Sequence, residues 1–173
     1  MPGKVNDMNG TKKLVYTALS AALIAVLTMF PHIPVAKGYI HLGDGMIIIS
    51  AFILGAYAVP AAAIGSALAD IVTGYAIYAP ATFVIKAAMA LLAFLIMNKK
   101  ESTLRIAAGS LACEAAMVGG YFLCDFALFG IAVAVTSFPF SLIQAAGGAA
   151  VGVALCLVTK KLGIKEKIRA SLN

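Results

Sequence analysis

The sequence predicts an all-α fold: a polytopic membrane protein of six transmembrane helices, with its N- and C-termini in the cytoplasm. Three observations carry that prediction. Of 173 residues, 62% are hydrophobic and 12% charged, and the mean hydropathy is +1.01. Soluble domains hold roughly 45–50% apolar residues. The apolar residues gather into runs matched to spans of about 20 residues, parted by short breaks rich in Gly, Pro or charge. That layout makes the chain, 1–173, a single transmembrane domain with no room for a soluble catalytic one.

The third observation is where the charge lies. All but Lys37 and Lys86 of the 13 basic residues fall before the first run (Lys4, Lys12, Lys13), at one polar break (Lys99, Lys100, Arg105) or at the end of the chain (Lys160, Lys161, Lys165, Lys167, Arg169). With six spans these three places share a side, and the positive-inside rule makes that side cytoplasmic. The net charge of +6 therefore reports topology in a cell (plasma) membrane and contact with the lipid bilayer, not nucleic-acid binding.

The first span covers about 14–30. Loss of this run as a leader would leave five spans and put the ends on opposite sides, against the charge pattern, so it reads as a retained helix. Its pairs Ala18/Ala22 and Ala21/Ala25 are small-xxx-small spacings, which suit either packing inside the protein or docking of a partner subunit. Pro31 and Pro34 stop the helix, and an outer loop holding His32 leads to the polar, glycine-punctuated stretch Gly38-Tyr39-Ile40-His41-Leu42-Gly43-Asp44-Gly45. The second span covers about 42–57 and the third 60–75, where Ala61, Gly65 and Ala69 form a packing stripe beside Ala62, Ser66 and Asp70. After an outward loop with Tyr75 and Tyr78, Pro80 opens the fourth span, 80–97, as a first-turn proline. The fifth covers 104–129, and the sixth 139–158 with the GxxxG pair Gly148/Gly152. Cys113, Cys124 and Cys156 have no metal or redox spacing and read as small buried hydrophobes.

Charged groups in hydrocarbon cost at least about 2.5–3.5 kcal/mol and mark candidate function. Asp44, Asp70, Lys86, Glu114 and Asp125 lie within or at the rim of the spans. At 1.5 Å per residue Lys86 sits roughly 9 Å below the outer rim and Glu114 roughly 15 Å above the inner one. Glu114, Val118, Tyr121 and Asp125 follow one another at helical spacing on one face, and Gln144 enters the same outer half from the sixth span. Such convergence predicts an outward-open pocket. Each residue also has a structural reading: an Asp70–Lys86 pair, Asp44 as a helix cap, a solvated Asp125, a hydrogen-bonded Glu114, and tyrosines as an interfacial belt. Acids outnumber bases among these groups, so either some are protonated or a ligand brings donors or positive charge.

No G-x-x-x-x-G-K-[ST], G-x-S-x-G or H-E-x-x-H motif is present. The chain is therefore not expected to be an enzyme or to need a cofactor or metal, and energy for uphill movement must come from a partner or an ion gradient.

Gly38-Tyr39-Ile40-His41-Leu42-Gly43-Asp44, Gly65-Ser66-Ala67-Leu68-Ala69-Asp70, Gly74-Tyr75 and Tyr78-Ala79-Pro80 with Lys86 resemble the substrate-binding S components of energy-coupling factor (ECF) vitamin transporters. The similarity is greatest to the riboflavin branch, which also holds members assigned to hydroxymethylpyrimidine or pyridoxine. The resemblance implies capture of one vitamin-like molecule beneath the outer loops, and assembly with a transmembrane T component and two cytoplasmic ATPases. It also implies contact with the T component through Ala18, Ala22 and Ala25. Within that framework the expected lining is Glu114, Tyr121, Asp125, Lys86, Asp70 and Gln144, with Tyr78 beside them and Tyr39 and His41 as a lid. This set suits a pyridoxine- or hydroxymethylpyrimidine-like ring, with riboflavin next. A stand-alone ion-coupled carrier or channel using Asp70, Lys86 and Glu114 is the alternative.

Overall fold

The computed structural model describes residues 4–31, 33–35, 38–98 and 102–172; His32, Lys99 and Lys100 lie outside them. The chain runs α1 (Lys4–Met29), a hairpin of β1 (Ile33–Val35) and β2 (Gly38–Ile40), α2 (Gly43–Leu54), a 3-10 turn (Gly55–Tyr57), α3 (Ala58–Val72), α4 (Ala79–Met97), α5 (Thr103–Phe129), α6 (Ile131–Lys161) and α7 (Ile164–Leu172). It is an all-α, multi-pass membrane protein. Large apolar side chains such as Leu14, Val72 and Leu104 stand exposed around the bundle, where lipid takes the place of water.

The run Gly43–Val72 has the length and hydropathy of one membrane-crossing helix. It is two helices. Thirty unbroken helical residues would extend about 45 Å, yet the Tyr39 hydroxyl, just before this run, lies 2.6 Å from the Asp70 carboxylate near its end. The reversal is made at Gly55, whose φ of +63° favours glycine and where a Cβ would meet the Phe94 ring at 3.2 Å.

Helix α2 is the axis of the fold. It packs against α1, α4, α5 and α6, and ten of its 12 residues are buried. Its sequence, GDGMIIISAFIL, is apolar on every side, the pattern of a helix surrounded by others. Small residues let the neighbours close in. At Gly152 of α6 an added Cβ would lie 2.6 Å from Ile48 of α2, and at Gly65 of α3 it would strike the Ala21 backbone of α1.

Three features depart from the sequence pattern. The outer loop carries a two-stranded antiparallel hairpin with Pro34 opposite Tyr39, built where Ile33, Val35 and Ile40 favour extended backbone. Helix α6 begins at Ile131 and contains Pro139 in its third turn instead of starting there; the orphaned backbone groups of the first turn are what a starting proline normally exploits, and Gly130, with φ +85°, supplies the start instead. The basic C-terminal segment is a helix seated on the inner end of α2, with Lys165 buried over the Phe52 ring at 3.9 Å and Arg169 Nε donating to the Ile53 carbonyl at 3.2 Å. Lys13 lies 5.8 Å from the Tyr57 ring at this same end, the end that the positive-inside rule assigns to the cytoplasm.

Candidate functional site

A cavity opens at the opposite end, between the hairpin, the α3–α4 turn and the outer halves of α5 and α6. Its empty volume, counted to its mouth and including the solvent space there, is about 610 Å³. Tyr39, His41, Asp70, Tyr78, Tyr121, Asp125 and Gln144 line it, as do Ile40, Tyr75, Met117, Ser137, Phe140 and Ser141.

Chain geometry explains this gathering. The hairpin brings Tyr39 over the end of α3, where its hydroxyl donates to Asp70 Oδ1 at 2.6 Å. Its ring sits 4.9 Å from that of Tyr75 and 5.3 Å from that of His41. Tyr78, at the start of α4, donates to Asp125 Oδ1 at 2.7 Å and stands edge-on to Tyr121 at 6.5 Å. Burial, together with the neighbouring carboxylate, holds both the Tyr39 and Tyr78 phenols above the ordinary tyrosine value, so both remain donors. Thr82 and Tyr121 share a hydrogen bond of 3.0 Å. Two acids thus face one space, each steadied through one oxygen by a tyrosine.

Two expected lining residues do not reach the cavity. Lys86 is fully buried beneath it and pairs with Asp44, so the anticipated Asp70–Lys86 pair is not formed. Its ammonium lies 5.4 Å from the face of Tyr121, which separates it from the cavity. Glu114 is also beneath, 2% exposed, with neither carboxylate oxygen hydrogen-bonded among the described residues. It fills the notch left by Gly148, where an added Cβ would collide with Glu114 Oε1 and come within 3.0 Å of Asp44 Cβ.

Asp44 is the residue whose role was missed. It lies in the first turn of α2 but makes no cap; Leu42 is the N-cap and carries no side-chain cap bond. Its carboxylate instead takes Lys86 on one oxygen and Gln144 Nε2 at 2.7 Å on the other. Gln144 lies 3.3 Å from His41 Nε2, and His41 Nδ1 accepts from the Gly43 N–H at 3.1 Å. The signal available in sequence was the all-round apolar character of α2, which places an acid in its first turn inside the bundle. On α1, Ala18 and Ala22 are exposed and Ala25 half-buried.

No cluster of His, Cys, Asp or Glu suited to a metal ion occurs among the described residues. The arrangement offers aromatic faces, carboxylate acceptors and a buried ionic floor, which is equipment for holding a molecule.

Comparison with known proteins agrees. A protein of Pyrococcus woesei described as "Uncharacterized protein in gap 3'region" is 33% identical over 141 residues, covering 80% of this chain and 95% of that protein. The family model described as ECF-type riboflavin transporter, S component, matches residues 8–161, from α1 to the end of α6. The chain therefore belongs to the ECF-type riboflavin transporter S-component family and is a substrate-binding membrane subunit of an ECF transporter.

Proposed function

We propose that the outer cavity captures one small, planar, water-soluble vitamin or precursor, of the pyridoxine or hydroxymethylpyrimidine type ahead of riboflavin. Four of the six tyrosines line the cavity, so aromatic surface is ample for either ring size. The observation that carries the preference is the pair of carboxylates, Asp70 and Asp125, facing the same space from α3 and α5. Acceptors of this kind seek hydroxyl or amino donors, which the small ring compounds present directly at their edges, whereas a flavin ring offers one N–H between two carbonyls and keeps its hydroxyl donors on a flexible side chain. Tyr39 and His41, on the hairpin and just after it, form the lid. The capturing subunit would work with a T component, docked along Ala18, Ala22 and Ala25, and two cytoplasmic ATPases that supply the energy.

Calorimetry on the purified protein in nanodiscs, titrated with pyridoxine, hydroxymethylpyrimidine and riboflavin, tests this reading. One-to-one binding of a small-ring compound tighter than that of riboflavin is expected. Tighter binding of riboflavin would reverse the preference, and binding of none would remove the capture role from this cavity.

A further inference from the structure

Resting on the capture reading, we infer that the molecule held in this cavity is a cation: a single heteroaromatic ring bearing a protonated amine on a short arm. The reason is an imbalance of hydrogen-bonding groups. Asp70 is only 4% exposed, and while Oδ1 accepts from Tyr39, Oδ2 is buried with no hydrogen bond of ordinary length, the nearby Thr82 hydroxyl being shared with Tyr121. Asp125, 6% exposed, faces the same space with one oxygen held by Tyr78. Leaving a buried acceptor unmade is costly, more so for a group able to carry charge.

No basic side chain among the described residues supplies the missing donors. Neither Lys nor Arg lines the cavity. Lys86 is engaged by Asp44 below the Tyr121 ring. His41 meets the Gly43 N–H with Nδ1 and the Gln144 amide with Nε2, so both ring nitrogens are already engaged. An ammonium brings three donors to the two carboxyl groups and a charge that favours their ionised form, and the tyrosine faces around it favour a cation further. A hydroxyl brings one donor. A ring edge made of carbonyls would set acceptor against acceptor.

The test is a matched comparison by calorimetry on the full chain in nanodiscs: pyridoxamine against pyridoxine, and the aminomethyl analogue of hydroxymethylpyrimidine against hydroxymethylpyrimidine itself. The amine is expected to bind about 10- to 100-fold tighter than the alcohol in at least one pair, the span given by a hydrogen bond to a charged group. Asp70→Asn and Asp125→Asn, which keep side-chain size, are each expected to shrink that ratio. Equal or weaker binding of the amines in both pairs would overturn the cation inference and leave the capture role standing. A ratio unchanged in both variants would overturn it too. Binding of no member of either pair, nor of riboflavin, would take down the capture reading and this inference together. If Asp70→Asn does not fold, Asp125→Asn and the wild-type ratio still decide.

Discussion

The Lys86 ammonium of α4 and the Asp44 carboxylate of α2 form an ion pair in which both side chains are fully buried. Gln144 of α6 holds the second Asp44 oxygen, so three helices are tied at one point beneath the cavity. Removing one partner of such a pair leaves an uncompensated charge and costs about 3–5 kcal/mol, whereas replacing both with apolar groups is often neutral. Lys86→Met and Asp44→Leu should therefore each lower the thermal unfolding midpoint sharply, and the double variant should regain most of the loss. A double variant as unstable as the worse single one would show that the pair does more than neutralise itself.

Gly148 and Gly147 are neighbours on α6 with opposite surroundings. A Cβ at Gly148 would run into Glu114 and Asp44, while one at Gly147 meets nothing within 4 Å. Gly148→Ala should cost about 1–3 kcal/mol, the usual penalty for overpacking, and weaken ligand binding by shifting the floor of the cavity. Gly147→Ala should leave both unchanged. Melting curves and titrations of the two variants side by side distinguish this contact from any general effect of alanine on α6.

Periodicity and hydropathy give how deep a residue lies along a helix but not which neighbour its side chain meets. That is why Asp70, Tyr121, Asp125 and Gln144 were legible as cavity groups from depth and helix face alone, while the partner of Lys86 was not: Asp44 and Asp70 both lie in the outer half, and only the central placement of α2 selects Asp44. Local chemistry also misled. An acid in a first helical turn suits a cap, and nothing within the sequence neighbourhood of Asp44 reveals a lysine 42 residues away. Glu114 has the expected face but one turn too little height, so Met117 and Tyr121 stand between it and the open space. The early start of α6 escaped notice because a proline within a helix was weighed as a boundary.

Tyr39 joins the hairpin to Asp70 by a single hydrogen bond of 2.6 Å. Tyr39→Phe keeps the ring contacts with Tyr75 and His41 and removes only the hydroxyl. A net loss of roughly 0.5–1.5 kcal/mol, about 2- to 10-fold in Kd, is expected. The change should appear in the dissociation rate, because a loosened lid releases ligand sooner. Burial, first, and the adjacent Asp70 carboxylate hold the phenol above its ordinary value of 10.0. The protonated donor therefore persists as pH rises through that value, and wild-type affinity should show no step there from this residue. A dissociation rate unaltered in the variant would rule out the hairpin as a lid anchored through Asp70.

The two faces of α1 make separable predictions. Toward α3, the Ala21 backbone fits against Gly65, where any Cβ would collide, so Gly65→Ala should destabilise the isolated protein by forcing the helices apart. On the side of the helix next to it Ala18 and Ala22 are exposed. Ala22→Leu adds bulk where only lipid or a partner subunit can meet it. If the T component packs here, that variant should keep its melting point and its ligand affinity but fail to co-purify with the T component and the ATPases. Co-purification at wild-type yield would move the docking surface elsewhere on the bundle, since a flat stripe of alanines that tolerates leucine cannot be where two helix backbones approach closely.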